Sequence, residues 1–296
     1  MNRFRSSLDY VCRKLTQKWT LVFVSLIVAA LSWIAVFASA QSNELKVYFL
    51  DVGQGDAIFI ELPDSRQILI DGGPDDRVLE RINSVMQFWD RSIDMVIATH
   101  GESDHIGGLG AVLGYYDVST IIWNGIESET KTFMEWKEAV DREGATVLVG
   151  EYGMRFKLSD SVFFEILHPK VLSEMELASA SASQNNFSLV IRLAHDEDTF
   201  LFTGDIERQA EYRIIEQNPR IDSDVLKVAH HGSKTSSSEL FLEKVNPKIA
   251  VISSGINNTY GHPHKAILQR LTKYGIKIRR TDMEENILLI SNGNSF

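Results

Sequence analysis

Thr99-His100-Gly101-Glu102-Ser103-Asp104-His105-Ile106-Gly107-Gly108 sets two imidazoles and two carboxylates within six residues, directly behind the apolar run Met95-Val96-Ile97-Ala98. Borderline divalent metals such as zinc accept imidazole nitrogen and carboxylate oxygen together, and a loop leaving a buried strand can turn several short side chains toward one point. Taken alone, such a pair of histidines is as readily a solvated polar turn. Three further apolar runs change the balance, because each leads into a potential ligand: 199–203 into Gly204-Asp205, 225–229 into His230-His231-Gly232-Ser233, and 249–253 toward Tyr260-Gly261-His262-Pro263. Of eight histidines, five lie in these strand-end loops, where layered α/β proteins concentrate their functional residues.

These motifs, with Phe49-Leu50-Asp51-Val52-Gly53-Gln54-Gly55-Asp56-Ala57, Leu69-Ile70-Asp71-Gly72-Gly73 and Asn185-Asn186-Phe187-Ser188-Leu189-Val190, resemble those of metallo-β-lactamase-fold hydrolases. The similarity is to the branch that includes the C-terminal domain of ComEC-type competence proteins and related phosphodiesterases, and it covers nearly everything from Leu45 onward. It implies an α/β fold, a four-layer αββα sandwich behind an N-terminal apolar segment. It also implies a pair of divalent ions, zinc or manganese, that lower the pKa of a shared water and direct it at phosphorus or carbonyl carbon.

On that resemblance Asp205 bridges the ions, Asp104 and His105 serve the second ion with a late histidine, His262 first among the choices, and His100 serves the first ion with His230. Glu102 stands where the common pattern has a histidine, and Asn186 stands near the place of another. An oxygen-richer first site favours manganese or a mixed pair, and it argues against a true β-lactamase. Two roles stay open for His231, a general acid for the leaving group or a ligand in place of His230. Asp104 is the other candidate catalytic residue.

Other polar positions read as supporting. Asp51 and Asp71 end apolar strands and suit turn-forming or ligand-orienting work, Gln54 and Asp56 line the pocket, and His168 in Leu167-His168-Pro169 is structural. The Ser233-Lys234-Thr235-Ser236 run could donate to a phosphate but reads first as a solvated turn.

The N-terminus carries the second strong signal. No charge occurs between Lys18 and Glu44, the span 20–38 is almost wholly apolar, and Arg3, Arg5, Arg13, Lys14 and Lys18 precede it. Residues 1–40 are therefore expected to be a cleaved signal, with Ala38-Ser39-Ala40 as the processing site, or a retained single anchor. Either places the hydrolase domain, 45–296, outside the cytoplasm. The one cysteine, Cys12, precedes the span, so the domain has no thiolate for metal or nucleophilic work.

The whole chain has 30 basic and 40 acidic residues; the first 40 positions hold five and one of these, leaving 25 against 39, a net charge of −14. That sign disfavours extended duplex nucleic acid as a partner and leaves a small-molecule or phosphodiester substrate. Contact with a membrane is expected only through the N-terminal segment. The pattern predicts strands at 45–51, 57–62 and 67–71, and helices over 76–88, 107–115, 130–143, 206–217, 238–244 and 264–274. Residues 171–185 read as a surface connection, with a substrate-facing flap as the alternative. The function expected is an exported or anchored metal-dependent hydrolase of phosphodiester or related ester bonds. The alternatives are an accessory component of DNA uptake and a non-catalytic binding module on the same fold; only one apolar span is visible for the former.

Overall fold

Alternation decides the first strand: β1 (Leu45–Phe49) buries Leu45, Val47 and Phe49 while Lys46 and Tyr48 stay half-exposed. Next to it come β2 (Ile58–Glu61) and β3 (Gln67–Ile70), then the β-branched and apolar runs of β4 (Ser92–Ala98), β5 (Asp117–Trp123) and β6 (Thr146–Val149). The second half supplies β7 (Arg155–Lys157), β8 (Val162–His168), β9 (Val190–His195), β10 (Asp198–Phe202), β11 (Val225–Lys227), β12 (Ile249–Ile252), β13 (Lys277–Arg280) and β14 (Ile287–Ser291). The computed structural model describes residues 18–33, 43–170, 184–217, 219–294 and 296, so 171–183 of the surface connection expected over 171–185, Cys12 and the Ala38-Ser39-Ala40 site lie outside the described residues.

Two seven-stranded sheets result, in the orders β14-β1-β2-β3-β4-β5-β6 and β13-β12-β11-β10-β9-β8-β7. Their inner faces share one apolar core that includes Val47, Ile60, Ile70 and Ile97 from the first sheet and Phe164, Ile191, Phe200 and Val251 from the second. Each such side chain contributes roughly 1.5–3 kcal/mol on leaving water. The outer face of the first sheet is covered by α2 (Arg77–Val85), α4 (Leu109–Leu113) and α5 (Lys131–Glu143), which bury Val78, Ile82, Val112 and Trp136 against Val96 and Ile121. The second sheet is covered by α6 (Arg208–Gln217), α7 (Glu239–Val245) and α8 (Lys265–Lys273) through Ile214, Phe241 and Ile267. This is the αββα sandwich that the motifs implied.

The helix expected over 107–115 is shorter, α4 covering only Leu109–Leu113. A separate turn, α3 (Ser103–Ile106), precedes Gly107, which packs so closely that a Cβ there would collide with the Pro74 carbonyl. That turn carries Asp104 and His105. β11 stops at Lys227 rather than 229, because the backbone turns left-handed at His230 and His231, with φ of 50° and 51°.

The chain divides into two compact units, Met1–Asn43 and Glu44–Phe296. In the first, residues 18–33 (α1) are helical. Among the described residues no helix is long and apolar enough to cross a membrane, and 34–38 of the expected span lie outside them.

β3–β4–β5–β6 pair in parallel, as do β10–β11–β12–β13. Parallel strands present their carboxyl ends at one edge, and each inner member ends in a polar loop there.

Candidate metal centre

Asp71, at the end of β3 with φ of 59°, is the pivot of the centre. Its Oδ1 accepts from Thr99 N (2.8 Å) and its Oδ2 from Thr99 Oγ1 (2.7 Å) and His105 Nδ1 (2.8 Å). Thr99 Oγ1 directs its hydroxyl proton at Asp71, so its oxygen accepts from His100 Nδ1 at 3.1 Å. Across the cleft His231 Nδ1 donates to the Ser253 carbonyl, 3.0 Å away. Each of these bonds places a proton on Nδ1, so a ring that carries no second proton presents its Nε2 lone pair. The Nε2 atoms of His100, His105 and His231, and Asp205 Oδ1, are buried without a hydrogen-bond partner.

Backbone crowding fixes the loops that carry them. Gly55 packs so closely on the His100–His105 loop that a Cβ there would collide with the Asp104 carbonyl, and that carbonyl accepts from Asp56 N at 3.2 Å. Gly72 N donates to the His105 carbonyl at 2.7 Å. Left-handed backbone at His230 and His231 is uncommon for residues other than glycine and costs on the order of 1 kcal/mol or more for each. Such strain in a rigid sheet-end loop is a mark of function.

Asp104, His105, Asp205 and His231 offer four ligand atoms within 4.8 Å of one another. His105 Nε2 lies 3.3 Å from Asp205 Oδ1, and His231 Nε2 lies 3.3 Å from both Asp205 Oδ2 and Asp104 Oδ2. Two atoms each about 2.0–2.1 Å from one tetrahedral ion are themselves roughly 3.3 Å apart, so these spacings fit a shared cation. Hydrogen-bond-free lone pairs, carboxylate oxygens and that spacing together suit a divalent metal.

The other expected ligands form a looser flank. The His100 ring centroid is 4.2 Å from that of His105, and His100 Nε2 is 4.0 Å from Glu102 Oε2. His230 Nε2 stands 3.9 Å from Asp205 Oδ2, and the ring of His262 is 5.6 Å from that of His230 and 6.5 Å from that of His231. The late histidine within reach of Asp104, His105 and Asp205 is thus His231 rather than His262, while His230, expected beside His100 at the first ion, lies outside that group. The buried turn draws the imidazole of His231 inward beneath Ser253 and leaves that of His230 at the cleft.

Asn186 is not part of the centre. Its Oδ1 accepts from Glu207 N (3.2 Å) and Ala210 N (3.4 Å), capping the approach to α6, while its carbonyl accepts from His168 Nε2 at 2.9 Å. Asp51 closes a turn by accepting from Gly53 N at 3.1 Å.

Electrostatics favour added positive charge. Burial raises the Asp205 carboxyl, but His231 and His105 outweigh it and hold the group well below the usual carboxylate range. Burial lowers the imidazoles of His105 and His231, and the surrounding carboxylates, Asp205 foremost, overcome this and raise both well above the ordinary value. His100 is pushed down to about 3 by burial and by His105, which keeps its lone pair free. Glu102 is raised by burial and by Asp104 and Asp205.

Lys227 was not visible as a site residue. It is 1% exposed, its ammonium is ion-paired with Asp56 Oδ2, and it lies 3.8 Å from Asp205 Oδ1. The available signal was a lysine inside the apolar run Val225-Leu226-Lys227-Val228-Ala229, which demands a buried partner. A cavity of about 410 Å³ opens over the centre, with Gln54, Arg77, Glu102, His230, Tyr260 and His262 in its wall.

A fold of this kind with histidine and aspartate ligands at the strand ends defines a metal-dependent hydrolase class, and the profile described as "Metallo-beta-lactamase superfamily" matches residues 50–256. The chain belongs to that superfamily. It is 34% identical over 266 residues to ComE operon protein 3 of Bacillus subtilis (83% of this chain, 33% of the relative). It is also 29% identical over 251 residues to competence protein ComA of Neisseria gonorrhoeae (81% and 31%). It thus resembles ComEC-like competence proteins while spanning about a third of their length. Among solved structures, a metallo hydrolase from Ignicoccus hospitalis shares the fold, with a TM-score of 0.54, 16% identity and coverage of 83% of this chain and 98% of that one.

Proposed function

We propose that this chain is an extracytoplasmic metal-dependent hydrolase of phosphodiester or related ester bonds, exported or anchored by its N-terminal apolar segment. The observation that carries the reading is the convergence of unpartnered Nε2 atoms of His100, His105 and His231 and of Asp205 Oδ1 beneath an open polar cleft. Asp104, His105, Asp205 and His231 would hold a divalent ion, with His100 and Glu102 flanking it on the side of a second. Such ions supply Lewis-acid charge and lower the pKa of water.

The chain's own residues do the remaining work. Asp71 and the Ser253 carbonyl orient the imidazoles of His105 and His231. Arg77, beside Asp75, stands in the cleft wall where an anionic phosphate oxygen would lie. His230 is 22% exposed there, so it is the group placed to hand a proton to a leaving oxygen, while buried His231 acts as ligand. Oxygen-rich Glu102 and the displaced Asn186 weigh against a lactam-cleaving site, as does an acidic domain against long duplex DNA.

The test is to purify the full chain, measure bound zinc and manganese by mass spectrometry, and assay bis(p-nitrophenyl) phosphate, a chromogenic lactam and single-stranded DNA. Metal-dependent cleavage of the diester, absent from an Asp104→Asn variant, is expected. A chain that binds neither metal, or an Asp104→Asn variant as fast as its parent, refutes the reading. The competence relatives favour a second reading, an accessory role in DNA uptake, which predicts binding of single-stranded DNA without turnover. The mass of the mature N-terminus distinguishes a cleaved signal from an anchor.

A further inference from the structure

Lys227 poses a problem that the hydrolytic reading leaves unsolved. A lysine at the end of β11, 1% exposed, must find acceptors inside the protein or carry a heavy desolvation cost. It finds three. Its Nζ is ion-paired with Asp56 Oδ2, donates to the Gly204 carbonyl at 3.3 Å and lies 3.8 Å from Asp205 Oδ1. Asp56 is itself 1% exposed, and its other oxygen is 3.4 Å from His231 Nδ1.

Asp56 also belongs to a second group that could hold an ion. Asp56, Asp71 and His105 offer ligand atoms within 4.8 Å of one another, on the inner side of the quartet formed by Asp104, His105, Asp205 and His231. Asp56 cannot serve both an ion and the ammonium already seated on it, because two cations at contact repel strongly in a buried setting.

We infer that the Lys227 ammonium is a fixed internal cation of the centre, occupying its innermost position between Asp56 and Asp205 and confining divalent ions to the side of Asp104 and His231. The inference rests on the metal reading above. Two consequences follow from charge alone. With Lys227 in place, the buried carboxylates Asp56 and Asp205 are partly neutralised before any ion arrives, so the ion-free protein keeps its fold. Without it, Asp56 and Asp71 become an inner pair of uncompensated buried carboxylates, and a divalent ion is the available replacement.

Lys227→Met keeps the length of the side chain and removes the charge, and the full chain carrying it is compared with its parent using Mn²⁺ as the probe. The variant is expected to bind one more Mn²⁺ per chain in mass-spectrometric titration. Its ion-free melting temperature should drop by roughly 10 °C, as unpaired buried carboxylates dictate, and saturating Mn²⁺ should restore most of it. Lys227→Met combined with Asp56→Asn removes both partners, and should bind the parental number of ions and melt near the parent without them. Should the single variant fail to fold with or without Mn²⁺, the double variant decides: an ion-free double variant that folds supports the inference, and one that does not makes Lys227 a packing residue and overturns it. Equal ion numbers in parent and Lys227→Met also overturn it. A parent that binds no ion at all refutes the metal reading instead.

Discussion

The two halves of the centre are built to different standards. On the inner half Asp104, His105, Asp205 and His231 bring four ligand atoms within 4.8 Å, and the Nδ1 sides of both imidazoles are fixed by Asp71 and by the Ser253 carbonyl. On the outer half His100 is fixed by Thr99, but its neighbour Glu102 is 4.0 Å away and 45% exposed, and Asn186 has turned to cap α6. A ligand set is therefore legible in what orients it as much as in its own atoms. The inner half is expected to retain one ion tightly and the outer half to exchange its ion.

The sharpest way to break this contrast is Asp205→Asn. Asp205 is 1% exposed and reaches His105, His230, His231 and Lys227, so its loss removes a shared ligand and leaves Lys227 and the raised imidazoles of His105 and His231 uncompensated. Diester hydrolysis should fall at least roughly a thousandfold, about 4 kcal/mol of barrier, with loss of both ions by mass spectrometry. Retention of the inner ion at parental affinity would show that the halves are not joined at Asp205.

Acid tests the scaffold of the outer half. His168 is 2% exposed and donates from Nε2 to the Asn186 carbonyl; burial lowers its pKa from 6.5 to about 4. The unfolded chain takes up this proton first. Stability is therefore full above pH 6.5 and declines as pH falls from 6.5 toward 4, by about 3 kcal/mol in total at about 1.4 kcal/mol per pH unit. Melting curves of the ion-free protein should include this contribution, and His168→Gln should reduce the slope by about 1.4 kcal/mol per pH unit. An unchanged slope in that variant would assign the acid sensitivity elsewhere.

Asp71→Asn probes the inner half more gently. The amide can still accept from Thr99 N, but it loses the charge that holds His105, so ion affinity should weaken 10–100-fold while the fold survives. Titration calorimetry checks this, and an effect confined to the outer ion would reverse the assignment of the halves.

Much of this was legible in the sequence for a physical reason. Strands that end in His, Asp or Gly after an apolar run announce both their burial and their exit, which is why β3, β4, β10, β11 and β12 and the residues at their ends could be placed. The choice among His230, His231 and His262 could not be, because it depends on left-handed backbone at two consecutive histidines, a conformation that residue type does not specify. Asn186 could be flagged but not explained, since its cap on α6 is a contact with residues more than twenty positions away. Lys227 was hidden by its strand: the pattern reads as apolar, and only the sheet order brings Asp56 and Asp205 to it.

The smallest effect expected is also the most specific to the comparison. Glu102 is raised by burial and by Asp104 and Asp205, so it carries its charge less readily than a free carboxylate and suits a weak, hard-ligand position. Glu102→His would exchange that oxygen for an imidazole beside His100, softening the outer half without touching the inner quartet. Preference there should move toward zinc over manganese by about tenfold, roughly 1.4 kcal/mol, while the tighter inner ion keeps its affinity for both. Two-ion calorimetric titrations with each metal separate the steps. If the affinities of both steps shift together, Glu102 is coupled to the quartet and the division of the centre into a fixed and an exchanging half fails.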